Sequence, residues 1–464
     1  MPDPNAGRRS GMAGFTIVWL GQIVSMLGTA MSNFALTIWA FELTGRATDL
    51  ALLGFFFMVP LLVTAPLVGV LVDRHNRKLM MMLSDLAAGV ITIAVLILYS
   101  AGTLQIWHLF VGAAISGFFQ GFQWPAYSAA ITLMLDKKHY ARANSMLELA
   151  QSGSSIFAPL AAGALLAIIG LRGVLLIDVV TFVFAVGSLF FIHIPEPDRT
   201  VEHHGEKAGM WSELVYALRY LKERPSLLML QGLFLVGNFF TTLAFTLLAP
   251  MILARTGSNE LIFGSVQTLG AVGGVIGGVA VSVWGGFKRR IHGILVGWSI
   301  SMVGIMITGL GRPEPLWAAI PIWGGGALIG GLTSALINAS NQAIWQSKVA
   351  PAVQGRVFSL RRVIAIAIIP LAQLAAGPLA DQVMEPAMQP GGTLAGTFGP
   401  LVGTGPGAGM SLILLGAGLA GLAVTMIGYF IPAIRNVEGL LPDHDAGAEA
   451  RPAVGEIEVA PDAA

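Results

Sequence analysis

Three carboxylates interrupt long apolar runs of this chain: Asp85, Glu148 and Asp178. Hydrocarbon cannot solvate a charge, so an ionisable side chain at membrane depth is costly and is read as functional by default. Such a group can take up and release a proton, or it can pair with a cation. Asp85 and Glu148 lie within about two helical turns of one end of their runs, where loop cations are the plainer partners. Asp178 lies about a turn and a half from the opposite end. Asp178 and then Asp85 are the candidates for carrying a proton.

A second chemistry is hydrogen bonding to an organic solute. In the segment 15–40, Gln22, Ser25, Thr29 and Asn33 share one helical face, and in 227–252 so do Gln231, Asn238 and Thr242. The segment 106–134 carries Ser116, Gln120, Trp124 and Tyr127, with Gln123 nearby, and 316–344 leads through Ser334, Asn338 and Asn341 to Trp345, with Gln342. Spacings of three, four and seven place each set on one side of a helix. Amides of this kind can simply join helices, or they can line a cavity. Gln22, Asn33, Gln120, Trp124, Asn238, Asn338 and Asn341 are the candidate substrate-binding residues. No acid falls in the middle of these four segments, so the expected cavity is neutral. It would suit an amphipathic or aromatic molecule, and an anion would call for a buried Arg or Lys.

Other chemistries find no residues. With no cysteine there is no disulfide, thiolate or Cys-based metal site. His203 and His204 have no third ligand in register and read as solvated linker, so no metal or other cofactor is expected. A membrane enzyme would need a His/Asp/Glu cluster or a Ser–His pair at membrane depth, and neither is found. No Gly-x-x-x-x-Gly-Lys-Ser/Thr loop is present for an ATP-driven pump. A sensor would need a large soluble output domain. A net charge of +1 gives no field for nucleic acid.

The elements that must position these residues are membrane helices. The 464 residues are 55% hydrophobic and 11% charged, with a mean hydropathy of +0.76, against about 25% charged in soluble domains. Crossing a bilayer takes about 20 apolar residues. Twelve segments qualify: 15–40, 50–72, 79–100, 106–134, 144–170, 173–194, 227–252, 262–284, 291–311, 316–344, 357–383 and 408–432. The reading gives a polar segment 1–14 with no cleaved signal, a six-helix bundle 15–194, a linker 195–226 with an amphipathic helix, a second bundle 227–432 and a disordered tail 433–464. The stretch 385–407, rich in Gly and Pro, reads as a flexible loop. With the N-terminus inside, all 26 Lys and Arg fall on inner segments except Arg46, Arg172, Arg255 and Arg312. Both termini are then cytoplasmic. The halves repeat: Gln22, Gly28 and Ala35 recur as Gln231, Gly237 and Ala244. Related halves rocking about a midplane site are what a secondary transporter needs.

Between the second and third segments the chain reads Gly-Val-Leu-Val-Asp-Arg-His-Asn-Arg-Lys, Gly69 to Lys78. This resembles the loop of the major facilitator superfamily, Gly-x-Leu-x-Asp-Arg-x-Gly-Arg-Lys, through Gly69, Leu71, Asp73, Arg74, Arg77 and Lys78. Asn76 replaces a glycine and tolerates the same left-handed turn. Val72-Asp73-Arg74, Ser84-Asp85, Pro125-Ala126-Tyr127, Ala141-Arg142-Ala143-Asn144 and Gly355-Arg356-Val357 resemble its drug and macrolide efflux branch. The antiporter pattern of the fifth segment is matched at Pro159 and Gly163, with Ser154, Ala158 and Ala162 in place of glycines. The resemblance covers roughly Phe15 to Pro432.

It implies an all-α membrane protein of twelve transmembrane helices in two pseudo-symmetric six-helix bundles. The first, fourth, seventh and tenth helices would line the cavity. The implied function is that of a monomer in the cell membrane exporting a small, amphipathic drug-like molecule or secondary metabolite against protons. The alternatives are an importer of a small organic solute and a non-transporting receptor or sensor of the same fold. Gly69, Asp73, Arg74, Arg77, Lys78, Arg142, Gly355 and Arg356 are the implied gating residues. Asp73 is expected to meet the start of the eleventh helix near Gly355–Ser359 when the inner side is shut.

Overall fold

A computed structural model describes residues 11–74, 77–192 and 210–444; within them the side chains of several positions, 66–74, 77, 124 and 210–214 among them, lie outside the described residues. The regular elements described are all helices. The first half holds α1 (Gly11–Thr44), α2 (Ala47–Arg74), α3 (Arg77–Ser100), α4 (Ile106–Met134) and α5 (Tyr140–Phe191). The linker helix is α6 (Met210–Lys222). The second half holds α7 (Pro225–Thr256), α8 (Glu260–Trp284), α9 (Arg290–Leu310), α10 (Leu316–Lys348), α11 (Pro351–Pro378), the short α12 (Glu385–Met388) and α13 (Ala395–Val402), and α14 (Ala408–Phe430). Two single turns follow, α15 (Pro432–Arg435) and α16 (Val437–Leu440).

Among the described residues ten stretches are long and apolar enough to cross a membrane, and Arg142–Phe190 counts among them as one. That stretch breaks at Gly170, where φ is 65° and ψ 178°, a conformation essentially reserved for glycine. The two arms on either side match the fifth and sixth segments of the sequence reading. α4, 29 residues long, matches the fourth. The lateral surface is apolar: Ile168, Phe184 and Phe430 are 77%, 66% and 81% exposed, as suits helices that face lipid.

α1 packs along α5, α2 along α4, and α3 against both α4 and α5; α10 packs on α8 and α9, and α14 and α11 on α7. The two halves meet where α5 crosses α8 and α2 crosses α11. Their contacts cluster away from the end that carries Arg142, Lys288–Arg290 and Arg356, hereafter the basic end. Phe34 stacks on Phe263 at 5.0 Å. A Cβ on Gly264 would strike the Pro159 carbonyl, and one on Gly163 the Glu260 carbonyl. Small size at these positions lets the two backbones close.

Three expectations are corrected. The stretch Gly69–Lys78 is no loop: α2 runs to Arg74 and α3 starts at Arg77, with His75 and Asn76 outside the described residues. The stretch 385–407 is a built cap. The Glu385 carboxylate accepts the backbone N–H groups of Gly407 and Met410 (3.0 and 2.8 Å), and buried Arg255 donates to the carbonyls of Val402, Gly311 and Gly407 (2.7, 3.0 and 3.2 Å). Two charged anchors satisfy the backbone of a Gly/Pro-rich segment that has no ladder of its own.

The tail is ordered through His444. Ile434 and Val437 are 3% and 0% exposed. Glu438 caps α9 by accepting from Arg290 N and Ile291 N (3.1 and 3.0 Å). The Lys348 ammonium donates to the carbonyls of Glu438 and Leu441 (2.5 and 2.6 Å) and pairs with Asp443 at 2.7 Å. Replacing Lys348 with Ala leaves two carbonyls without their donor and should cost about 1–3 kcal/mol. Asp443→Ala, at a half-exposed side chain, should cost less than about 1 kcal/mol. Thermal unfolding of the purified protein reads both; a Lys348→Ala midpoint equal to wild type would remove the strap from the fold's stability. Residues 445–464 lie outside the described residues.

Candidate functional site

Between the halves lies a cavity of about 1830 Å³. Its floor is formed by Phe34, Ala158, Pro159 and Val266, at the level where the halves touch. Its walls run to Glu148, Gln151, Ser282 and Arg362, all exposed, so the mouth opens at the basic end. A side chamber of about 700 Å³ is lined by α1, α2, α3, α4 and both arms of α5. The two spaces share Asn33, Thr37, Gln151 and Ser154 in their walls.

The amide stripes are divided between these spaces. Asn33 faces both, while Asn238, Asn338 and Asn341 line the central cavity, joined by Gln231, Ser334 and Gln342. Gln22 and Gln120 lie in the side chamber with Ser25, Thr29, Ser116, Gln123 and Tyr127. Several amides are already engaged: Asn238 Nδ2 donates to the Ala365 carbonyl (3.1 Å), Gln231 Nε2 to the Arg361 carbonyl (3.1 Å) and Asn338 Nδ2 to the Ser334 carbonyl (2.9 Å). The side chain of Trp124 lies outside the described residues. Two stripe positions fail: Thr241, not Thr242, lines the cavity, and Trp345 is fully buried behind it.

The acids differ from expectation in their partners. Asp85 pairs with no loop cation among the described residues. Its two oxygens accept from Gln22 Nε2 (2.6 Å) and Gln123 Nε2 (2.8 Å), tying α3 to α1 and α4. Asp178 accepts from Thr29 Oγ1 (3.0 Å) and Thr92 Oγ1 (2.9 Å), tying α5 to α1 and α3. Asp85 and Asp178 are 5% and 2% exposed, and both border the side chamber. Each carboxyl is thus held by neutral donors alone among the described residues. Glu148 is exposed in the central cavity.

The cavity is not neutral, and this corrects the sequence reading. Arg361 and Arg362 line its α11 wall. Arg361 Nη2 donates to Gln342 Oε1 at 2.7 Å, and the guanidinium lies 5.2 Å from the ring centroids of Trp345 and Phe358. Both arginines fall inside the apolar segment 357–383, at a depth where a charge is as costly as at Asp85 and Asp178. Asp381 lies in the same segment. It sits in a single π-helical turn, Leu379–Met384, that ends α11. Its carboxylate accepts from Ala47 N (3.0 Å), Thr48 N (2.8 Å) and Thr48 Oγ1 (2.6 Å) at the start of α2. That carboxylate bridges the two halves at the closed end.

Of the gating candidates, Lys78 donates to the carbonyls of Phe190 (3.2 Å) and Ile192 (2.8 Å), closing the C-terminus of α5. Arg142 is exposed in the first turn of α5. Gly355 lies in the first turns of α11 with open space around it, and the Arg356 guanidinium lies 5.6 Å from the Tyr216 ring centroid of α6. Gly69, Asp73, Arg74 and Arg77 have helical backbones, and their side chains lie outside the described residues.

Two helical bundles with apolar flanks and a cavity of about 1830 Å³ between them are the architecture of a multi-pass membrane transporter. The sequence model of the Major Facilitator Superfamily matches residues 18–372, and the chain belongs to that superfamily. It is 28% identical over 377 residues to macrolide efflux protein A of Streptococcus pyogenes, covering 80% of this chain and 90% of that one. It is 25% identical over 371 residues to the multidrug efflux pump Tap of Mycolicibacterium fortuitum, covering 76% and 87%. Among solved structures, the nucleoside transporter NupG superposes with a TM-score of 0.65 at 11% identity, covering 90% and 98%. A bacterial homologue of the lysosomal transporter Spinster, inward-facing and unoccupied, gives 0.63 at 16%, covering 90% and 95%. At these identities the two structures speak for the fold alone.

Proposed function

We propose that the protein exports amphipathic organic compounds from the cell in exchange for protons, with its basic end and both termini in the cytoplasm. The observation that carries this reading is the central cavity. Its lining mixes apolar and aromatic side chains with a few amides, it is wide enough for a large organic molecule, and its mouth opens at the end richest in Lys and Arg. The named macrolide and multidrug efflux relatives support the direction and the substrate class. Asn33, Asn238, Asn338 and Asn341 would hydrogen-bond the solute in the main cavity, and Gln120 in the chamber beside it. Gln22 would act through Asp85. Asp178, with Asp85 second, would carry the proton.

Everted membrane vesicles with an acidified lumen test the reading. Dyes and macrolides should accumulate in the lumen when the gene is expressed, and a protonophore should abolish the accumulation. Accumulation under the reversed gradient would make the protein an importer. No movement of any compound in the panel would remove the substrate class.

A further inference from the structure

The α10–α11 wall of the cavity holds a cation with no counter-charge. Arg361 follows Pro351, the first residue of α11, by ten positions, which places it roughly 15 Å along the helix from that end. It is therefore deeper than a loop cation. Among the described residues no carboxylate pairs with it. Its Nη1 is buried and has no hydrogen-bond partner. Asn341 Oδ1 and Trp345 Nε1, about one turn of α10 apart, are also buried without partners. Unsatisfied buried polar atoms are rare, and a cluster of them asks for something that binds there. Arg362, the next residue, is exposed on the same wall. The acid that borders the cavity, Glu148, belongs to α5, in the other half.

We propose that this wall is an anion-receiving subsite, in which Arg361, seconded by Arg362, pairs with the carboxylate of an amphipathic organic acid. This rests on reading the cavity as the substrate site. A guanidinium left unpaired in a low-dielectric wall is costly, and an entering carboxylate removes that cost while making a charge-assisted hydrogen bond. Gln342 and the rings of Trp345 and Phe358 hold the guanidinium plane. An entering carboxylate would reach Nη1 by drawing the whole guanidinium round its side-chain torsions, at the expense of the Nη2 bond to Gln342. The apolar body of the ligand would lie over Phe234 and Ile337, which line the same space. Glu148 repels the carboxylate from the facing wall and so sets the ligand's orientation.

The probes are dansylglycine and dansylglycinamide, which share one fluorescent aromatic body and differ in the carboxylate. They are titrated into the full-length protein in phosphatidylcholine nanodiscs, whose lipids carry no net charge. The acid should bind about tenfold or more tightly than the amide. Arg361→Gln should erase that preference and leave the affinity for the amide unchanged. Arg361→Lys should restore only part of it, since an ammonium lacks the planar fork. If both probes bind wild type equally, or if Arg361→Gln keeps the preference, the subsite is overturned while the cavity stands as an amphipathic site. If neither probe binds, the subsite and the reading of the cavity fall together. Should Arg361→Gln not fold, the wild-type comparison decides alone.

Discussion

Asp381→Asn should open the closed end of the transporter. In wild type, the carboxylate at the end of α11 receives two backbone N–H groups and one hydroxyl from the first turn of α2. A carboxylate at a helix N-terminus gains from the free amides and the dipole there, by up to about 2 kcal/mol when partly buried. Asparagine keeps the shape and one acceptor oxygen but loses the charge, so about 1–2 kcal/mol should go, a factor of roughly 5–30 in a two-state equilibrium. The bond joins the halves only in the form that is closed at this end, so its loss favours the form that is open there. Spin labels at Arg46 and Gln382, both exposed, read the separation, and a chain without cysteine gives no background labelling. The wild-type distribution should be dominated by a short distance, and Asp381→Asn should add a long one. Thr48→Val, which removes one of the three bonds, should shift it less and in the same direction. Identical distributions in all three proteins would sink the latch.

The latch also gives the loop motif a counterpart. α2 ends at Asp73 and Arg74, and α11 starts at Pro351. The superfamily resemblance expects Asp73 to meet the start of α11 when the basic end shuts. At the opposite end, the structure has the acid of α11 at the start of α2. One antiparallel helix pair could then offer a carboxylate at each end to the free amides of the other helix, with one latch made in each state.

The twelve apolar segments were legible because hydrophobic length is read directly by the bilayer, and each falls on an observed helix. Local hydropathy separates the two arms on either side of Gly170, but it has no signal for the docking of Glu438 and Lys348. That depends on contacts distant in sequence, and a polar tail looks the same whether docked or free. The cavity stripes were legible from spacing, although periodicity cannot tell an amide that faces solute from one held by a neighbour, as Gln22 is by Asp85. Arg361, Arg362 and Asp381 were missed for a simpler reason. They lie within a segment whose ends carry many charges, and they were grouped with the loops. Counting every charge inside the segment boundaries would have found all three.

Asp178→Asn should uncouple transport from the proton gradient while leaving the binding site in place. The carboxyl joins three elements through hydroxyls: Thr29 of α1, Thr92 of α3 and its own α5. Ionised, it accepts from both. Protonated, it has a donor of its own and one fewer acceptor site, so one of the two threonines must turn or let go. Loading and unloading a proton therefore changes how the second arm of α5 is held to α1, the helix that brings Asn33 to the cavity. Asparagine is close in shape but can neither release nor take up a proton, so it fixes one arrangement. Uphill accumulation in everted vesicles should fall to the level of vesicles lacking the protein. Downhill exchange and dye binding should persist, because Asp178 borders the side chamber and not the main cavity. The sharper readout is proton release. In weakly buffered detergent solution, adding substrate to wild type should acidify a pH indicator, as expected if substrate and proton compete, and Asp178→Asn should give no signal. An unchanged signal and full accumulation in that variant would move the carrier to Asp85. The amides of Gln22 and Gln123 hold it in the same way, and Asp85→Asn would then have to show both losses.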